Sequence, residues 1–447
     1  MGFTRTLGRF VAELSPGQPP NQAAAIARTG FIDAIGTMIA GHNEDCVRMV
    51  HEVLQPADGP CSLYLSRARS PALEAAWLNG TAAHALDYDD EAIGGHPSAV
   101  LVPAILAEAE ALGASGAAMI TAYVAGYETW AELHRRDTGQ RHLQGWHPTA
   151  SFGAIGAAAA CASLHRLDAA RAAEAIALGA SQSAGLVANF GAMTKPFLAG
   201  RAAHAGVLAA RLAAAGFTAS TDMLDHPNGL LTAVLPSAEP DPDSDRRLGH
   251  DWAIVQQGLS IKRYPVSDCA HRAIDSLLGI VASRSIQPEA VKTITVRLSD
   301  YYATVLRNHR PETAAAARFS IEFAMASAIV ARHVGLRQLT DAFVQRPDVQ
   351  ALMQRVVTVT TGTHDPALPG AAPFDQASVE LVSGEALDGP PVSRAAGHAT
   401  QPLSDAQLRE KFADCLEAGA SDIPAETLFA RLQTLDTISA RALTAGR

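Results

Sequence analysis

The chain has 447 residues, too many for one hydrophobic core, and its length predicts two or three domains. Hydrophobic residues make up 48% and aromatic residues only 5%, so the core must consist mainly of alanine, leucine, valine and isoleucine. The formal net charge of −10, without any basic run, argues against a nucleic acid as a partner.

Cysteine usage and the N-terminus bear on the location of the protein. The five cysteines are odd in number and form no Cys-x-x-Cys pair, so neither a disulfide framework nor a structural zinc is expected. The first residues lack an apolar signal-peptide core, and the apolar run 152–164 is shorter than the roughly 20 residues that cross a bilayer. We therefore expect a cytoplasmic protein without a membrane partner.

Up to about residue 265 the pattern is helical. Apolar residues recur there at three- and four-residue spacing, which is typical of packed helices. The predicted helical segments are residues 71–91, 99–112, 117–135, 151–164, 169–185 and 202–215.

The pattern changes after Tyr264-Pro265. Period-two alternation at 293–298 and 378–381, with the β-branched run 356–361, predicts strands. Predicted helices lie at 271–284 and 319–333, and the tail is helical again at 404–418 and 425–443. We therefore predict a mainly α protein, with a large helical domain of residues 1–265 and 401–447 and a smaller α+β domain of residues 266–400.

An acidic run, Asp87 to Glu91, lies at the end of the predicted helix 71–91. On a helix, His84, Asp87 and Glu91 share one face, and polar groups beside an alanine- and leucine-rich surface predict perturbed pKa values. Two other interpretations stay open, namely a solvated acidic helix end and a magnesium or zinc site. No His-Glu-x-x-His motif or comparable ligand spacing is present, so we predict no metal.

Two His-Pro pairs, His96-Pro97 and His147-Pro148, each stand directly before an apolar, alanine-rich stretch. Proline fits the first turn of a helix and pushes the residue before it out of the α conformation. Each histidine is therefore predicted at a helix N-terminus, where unpaired N–H groups attract anions and favour the neutral imidazole. Such a histidine suits an enzyme that moves a proton on a carboxylate substrate, although it can also simply cap a helix.

Lys195 stands before Pro196, which is expected to hold the lysine backbone off the following helix. We interpret Lys195 as an anchor for a substrate carboxylate or as a proton donor with a lowered pKa. The alternative is a lysine in a surface loop.

Another polar group, Lys262, Arg263, Tyr264 and His271, lies where the two predicted domains meet. Ligand clefts are frequent at such places, although these charges are equally typical of a solvated linker. No phosphate-binding loop, dinucleotide fingerprint or Gly-x-Ser-x-Gly motif appears. The sequence therefore favours general acid–base chemistry without a cofactor.

In their order along the chain, these motifs resemble those of the MmgE/PrpD family, which includes 2-methylcitrate dehydratase, cis-aconitate decarboxylase and iminodisuccinate epimerase. The resemblance extends from about residue 20 to 440. The similar segments are residues 79–90, 96–98, 145–153, 195–206, 262–271 and 319–321.

The resemblance implies a helical domain that includes the C-terminal tail, an α+β lid domain, a homodimer, and an active site in the cleft between the domains. It also implies which residues are catalytic. These are Asp87, His96, His147, Lys195 and His271. We further predict substrate contacts from Glu91, Lys262, Arg263 and Tyr264.

Three positions depart from the family pattern. Glu91 stands where many members have threonine, Leu198 where histidine is frequent, and Phe323 where tyrosine is common. Glu91 and Phe323 are expected to change the polar lining of the pocket, which leaves the particular substrate open.

The reaction predicted from these residues is proton abstraction next to a carboxylate. We predict a cofactor-independent lyase acting on a small di- or tricarboxylate, of the 2-methylcitrate dehydratase type. The alternatives on the same scaffold are a cis-aconitate decarboxylase, an epimerase of the iminodisuccinate type, and a carboxylate-binding protein without activity.

Overall fold

The structure is a computed structural model that describes residues 2–137, 144–234, 247–368 and 370–443. The chain divides into two compact units, a first unit of Met1–Ser260 with Cys415–Arg447 and a second unit of Ile261–Asp414. The second unit therefore begins before the predicted boundary at residue 265 and ends beyond the predicted boundary at residue 400.

The first unit is helical. Its main helices are α1 (Phe3–Glu13), α2 (Asn21–Gly41), α3 (Asp45–Leu54), α4 (Ala72–Ala85), α5 (Pro97–Leu112), α6 (Gly116–Arg135), α7 (Pro148–Leu164), α8 (Ala169–Ser181) and α9 (Thr194–Ala214). Shorter helical segments are Val187–Asn189, Leu230–Val234, Ala253–Gln257, Ala425–Gln433, Leu435–Thr437 and Ala440–Leu443. Two short antiparallel strands, β1 (Cys61–Ser62) and β2 (Arg69–Ser70), complete it.

Small residues let the central helices approach closely. Helix α9 packs against α4 and α7, and α7 also packs against α5 and α6. A Cβ atom on Gly80 of α4 would lie 2.8 Å from the Cα atom of Gly200 in α9, closer than real Cβ contacts allow. The two glycines therefore let the backbones of α4 and α9 approach closely. Both helices carry residues of the candidate site.

Helix α2 has the length and apolar composition of a membrane-spanning helix. Most of it is buried in the first unit, where it packs against α4, α5 and α6. Buried core helices have the same composition, so length and hydropathy alone do not assign α2 to a membrane.

The second unit combines helices with a four-stranded sheet in the order β4-β3-β5-β6. Its strands are β3 (Val291–Ser299), β4 (Val356–Thr361), β5 (Gln376–Leu381) and β6 (Ala386–Asp388). Strand β3 pairs in parallel with β4 and antiparallel with β5, so that Ile294 lies opposite Val356 and Val379. The three strands predicted from the sequence are therefore confirmed.

Alternate residues of β3 and β5 face a core formed with the helices of the second unit. These helical segments are Asp268–Ala270, His271–Ser283, Pro288–Ala290, Asp300–Val305, Ala314–Ala317, Ile321–Val330, Asp341–Val344 and Pro347–Met353. The second chain boundary falls within the helix Asp405–Ala418. The protein is thus mainly α with a small sheet region, as predicted.

Several helix predictions were wrong at their ends, and two of these differences concern site residues. The segment 71–91 is helical only to Ala85, because Asp87 takes a left-handed backbone with φ of 52° and turns the chain away. The segment 202–215 begins earlier, at Thr194, since proline is tolerated in the first turn of a helix. These two differences put Asp87 beyond the end of α4 and Lys195 in the first turn of α9.

Candidate active site

Four segments of the first unit meet at one polar cluster. They are the last turn of α4 with the loop after it, the N-termini of α5 and α7, and the first turn of α9. We call the side chains that they bring together the site cluster: His84, Asp87, Asp89, His96, His147 and Lys195.

Both proline-flanked histidines lie at helix N-termini, as predicted. His96 is the N-cap residue of α5 and His147 that of α7, each with a non-helical backbone and a proline directly after it. Both side chains are buried. The helix N-terminus places His147 with its ring edge-on to Phe190, at 4.9 Å between ring centroids.

The His147 imidazole is buried and makes no hydrogen bond to the described part of the chain. Among the described residues, neither Nδ1 nor Nε2 has a hydrogen-bond partner. Burial, and then the neighbouring His84, His96 and Lys195, lower the pKa of His147 to about 2. The ring is therefore neutral at physiological pH, and both nitrogens can bind a ligand.

Asp89 links two histidines. Its Oδ2 atom lies 2.9 Å from Nδ1 of His84 and 3.1 Å from Nδ1 of His96. Burial alone would raise the pKa of Asp89, but His84 and His96 hold it well below the ordinary value. Burial lowers the pKa of His84 to about 4, against the opposing effect of Asp89. The result is a buried carboxylate that accepts from two imidazoles.

Asp87 and Lys195 form an ion pair in the same cluster. The Nζ atom of Lys195 lies 2.7 Å from Oδ1 of Asp87, and Nε2 of His96 lies 4.0 Å from the same oxygen. Lys195 Nζ also stands 5.2 Å from the centroid of the Phe190 ring. The prediction that Pro196 holds Lys195 off the helix is wrong, because Lys195 lies inside the first turn of α9.

Glu91 does not lie on α4. Its backbone pairs with Ser260 instead, with Glu91 N donating to Ser260 O at 2.8 Å and Ser260 N donating back at 2.9 Å. The predicted helix face shared by His84, Asp87 and Glu91 is therefore wrong. The turn at Asp87, not helical spacing, brings its carboxylate to Lys195.

Asp90 has a structural role beside the site cluster. It is fully buried, and it accepts from the backbone N of Ser98 at 3.2 Å and from Ser98 Oγ at 2.7 Å. Burial, with the nearby Asp33, raises the pKa of Asp90 to about 8. The side chain is therefore protonated at neutral pH and fixes the first turn of α5.

We expect Asp90→Asn to change how stability depends on pH. The folded state keeps the Asp90 proton while the unfolded state loses it above the ordinary pKa of 3.8, so wild-type stability falls as pH rises toward about 8. Asparagine removes this loss. The free energy of unfolding of the variant relative to wild type should therefore rise by up to about 1.4 kcal/mol per pH unit across this range. Urea denaturation at several pH values measures it, and a pH-independent difference would contradict the protonated Asp90.

The other predicted site residues lie in the second unit. Tyr264 donates its hydroxyl to Oδ1 of Asp275 at 2.6 Å, and its ring meets that of His271 at 5.2 Å between centroids. His271 Nε2 donates to the Val266 carbonyl at 3.1 Å, and Arg263 Nη1 lies 3.4 Å from Asp275. Asp275, which the sequence analysis missed, thus holds two predicted residues together.

Lys262 and Phe323 also belong to the second unit. Lys262 is buried beside Arg263 in the chain. Phe323, expected in the polar lining of a pocket, is fully buried in the hydrophobic core and packs edge-on against Phe343. Its difference from tyrosine therefore affects core packing.

Four donors of the site cluster have the spacing of a metal site. Single ligand atoms from His84, Asp87, Asp89 and His96 all lie within 4.8 Å of one another. Zinc accepts such donors. However, both histidine Nδ1 atoms already face Asp89, and the Lys195 ammonium already pairs with Asp87. Each of the two carboxylates in this set thus already has a partner within the protein.

Comparison with known proteins gives matches along almost the whole chain. Residues 5–243 match the MmgE/PrpD N-terminal domain, and residues 264–434 match the MmgE/PrpD C-terminal domain. Cis-aconitate decarboxylase of Homo sapiens is 27% identical over 365 residues, which cover 77% of this chain and 72% of the relative. A cis-aconitate decarboxylase-like protein, oryM, of Aspergillus oryzae is 26% identical over 439 residues, or 92% of this chain and 89% of the relative. Cis-aconitate decarboxylase of Aspergillus terreus is 24% identical and covers 81% of this chain and 79% of the relative.

Proposed function

Since the chain belongs to the MmgE/PrpD family, we propose that it is a lyase that acts on a small polycarboxylate through the site cluster of the first unit. The relatives are decarboxylases, which are lyases, and they support a lyase-type activity for this chain. One observation carries the assignment to the site cluster. His147 is a buried neutral imidazole without hydrogen bonds to described residues. Both His147 and the Lys195 ammonium contact the Phe190 ring.

The proposed substrate is cis-aconitate. The relatives named above are cis-aconitate decarboxylases or resemble one, which favours this substrate over the 2-methylcitrate predicted from the sequence. The cation of Lys195 and the neutral histidines suit a ligand that carries several carboxylates. Such a ligand also brings negative charge beside the buried His147, which raises the pKa of the imidazole and prepares it to donate a proton.

Decarboxylation of this substrate needs one proton and no other reactant. The bond between carbon and one carboxylate breaks, and its electron pair forms a new carbon–carbon double bond as CO₂ leaves. The electron pair of the original double bond shifts to its far carbon, beside a second carboxylate, and that carbon takes up the proton. Lys195 would bind a remaining carboxylate and stabilise the negative charge that develops there. His147 would deliver the proton, or His96 would do so once its Nε2 atom has taken up a proton from water.

The first experiment incubates the protein separately with cis-aconitate, 2-methylcitrate, citrate and iminodisuccinate in D₂O and follows each reaction by NMR. We expect cis-aconitate to disappear, CO₂ to form, and one deuterium to enter the carbon next to a carboxylate of the product. Water elimination from 2-methylcitrate without turnover of cis-aconitate would replace the decarboxylase proposal by the hydro-lyase. Epimerisation of iminodisuccinate alone would assign the protein to the epimerases of the family.

We expect the activity to survive removal of metal ions. Among His84, Asp87, Asp89 and His96, both carboxylates already have partners, since Asp89 accepts from the two imidazoles and Asp87 pairs with Lys195. The reaction is therefore expected to need no added ion. The measurement is turnover before and after dialysis against EDTA, with metal content checked by mass spectrometry. Complete loss of turnover that a divalent ion restores would make these four residues metal ligands.

A cytoplasmic homodimer stays a prediction, which sedimentation and cell fractionation would test.

A further inference from the structure

We propose that Asp89 is a positioning residue that fixes the tautomer of His96, so that His96 presents an unprotonated Nε2 atom to the Asp87–Lys195 pair. Sequence patterns had not placed Asp89 among the site residues. The inference deepens the proposed function. Its turnover test rests on that function, whereas its tautomer test does not.

Two described groups beside His96 Nδ1 are hydrogen-bond acceptors. One is the Oδ2 atom of Asp89 at 3.1 Å, and the other is the backbone carbonyl of Asp90 at 2.9 Å. Neither the ionised Asp89 carboxylate nor a carbonyl oxygen has a proton to give, so Nδ1 must carry the hydrogen in this geometry. In the neutral ring the lone pair then belongs to Nε2, which lies 4.0 Å from Oδ1 of Asp87.

Asp89 is fitted to act as the acceptor. Its side chain is fully buried, and the two imidazoles hold its pKa well below the ordinary value despite the cost of burial. A buried carboxylate behind an imidazole fixes the orientation of the ring and stabilises the positive charge that the ring acquires when it takes a proton. Asp89 therefore acts on the reaction through His96.

His84 completes the arrangement from the other side of the carboxylate. Its Nδ1 atom faces both oxygens of Asp89, at 3.0 and 2.9 Å, and its ring lies 4.5 Å from that of His96 between centroids. Among the described residues, its buried Nε2 atom has no hydrogen-bond partner. His84 thus donates to Asp89 in the same tautomer and holds the carboxylate against His96.

The first test reads the tautomer directly in the substrate-free protein. Histidines are labelled with ¹⁵N, and the His96 signals are assigned from their loss in His96→Gln. We expect the neutral wild-type His96 ring to be protonated at Nδ1. Protonation at Nε2 would overturn the proposal whatever the substrate is.

The second test compares Asp89→Asn with Asp90→Asn. The two aspartates are adjacent and equally buried, but only the Asp89 side chain contacts His96, whereas that of Asp90 contacts Ser98. Asp89→Asn should lower kcat by about 10²- to 10⁴-fold with a much smaller change in KM, and should shift the His96 ¹⁵N signals. Asp90→Asn should leave both nearly unchanged. Unchanged kcat and His96 signals in a folded Asp89→Asn protein would refute the positioning role.

These two tests separate the inference from the proposed function. If no tested polycarboxylate is turned over but His96 is protonated at Nδ1, the substrate assignment fails and the tautomer assignment stands. If cis-aconitate is turned over and His96 is protonated at Nε2, the opposite holds. A poorly folded Asp89→Asn protein does not affect the wild-type spectrum, which decides the tautomer alone.

Discussion

Replacement of His147 by glutamine is expected to lower kcat by about 10²- to 10⁴-fold while the protein stays folded. Glutamine fills much of the space of the ring and can make hydrogen bonds, but it does not exchange a proton near neutral pH. Neither ring nitrogen of His147 has a partner among the described residues, so the substitution breaks no hydrogen bond seen there. Steady-state kinetics on the substrate identified by NMR, together with thermal unfolding, would measure both effects.

His204 offers a matched control for this prediction. It lies in the same unit, further along α9, and its ring packs against Trp77 of α4. Burial, and then Arg201, lower the pKa of His204 to about 4. His204→Gln should change stability more than kcat. A His147→Gln enzyme that keeps most of the wild-type kcat would remove His147 from the proton transfer, and the same loss in both variants would point to a general effect of losing a buried histidine.

The histidines of the site were predictable because a local rule places them. Proline is tolerated in the first turn of a helix and disfavours helical conformation in the residue before it, so the His-Pro pairs alone locate His96 and His147 at helix N-termini. The strands of the second unit were predictable for a similar reason, since alternation with period two is also a local signal.

Asp87 and Glu91 were misplaced because tertiary contacts, not propensity, end α4. No proline follows Pro71 in the segment 71–91, and the helical pattern continues through it, so nothing local indicates the left-handed turn at Asp87. The backbone pairing of Glu91 with Ser260 joins residues far apart in the chain, and a single sequence does not show such a pairing.

Asp89 was missed because an acidic run ordinarily indicates a solvated surface. Burial of two adjacent aspartates is stable here for two different reasons. Asp89 keeps its charge between two imidazoles, whereas Asp90 keeps its proton beside Ser98. Neither reason can be seen until the turn after α4 brings the run next to the N-terminus of α5.

The Asp87–Lys195 pair sets the charge that a substrate meets. In the absence of ligand the Lys195 ammonium is neutralised by Asp87, at 2.7 Å, and stands beside the Phe190 ring. A substrate carboxylate must therefore compete with Asp87 for the same cation. Removal of Lys195 alone removes an attraction and also leaves the negative charge of Asp87 without this partner, so its effect on binding has two parts.

Lys195→Met is expected to weaken binding of cis-aconitate by about 30- to 4,000-fold. This corresponds to about 2–5 kcal/mol for truncating one partner of a charge pair that substrate binding buries. Methionine keeps an apolar stem near Phe190. Asp87→Asn should bind at least as tightly as wild type, since the competing anion is gone. Calorimetry on the single variants and on the double variant Asp87→Asn with Lys195→Met separates the two parts. Lys195 anchors the substrate if the double variant still binds it at least about 30-fold more weakly than Asp87→Asn does. This ratio of affinities should be smaller for a ligand that lacks one carboxylate. Equal affinity of the double variant and Asp87→Asn would assign the anchor to another cation.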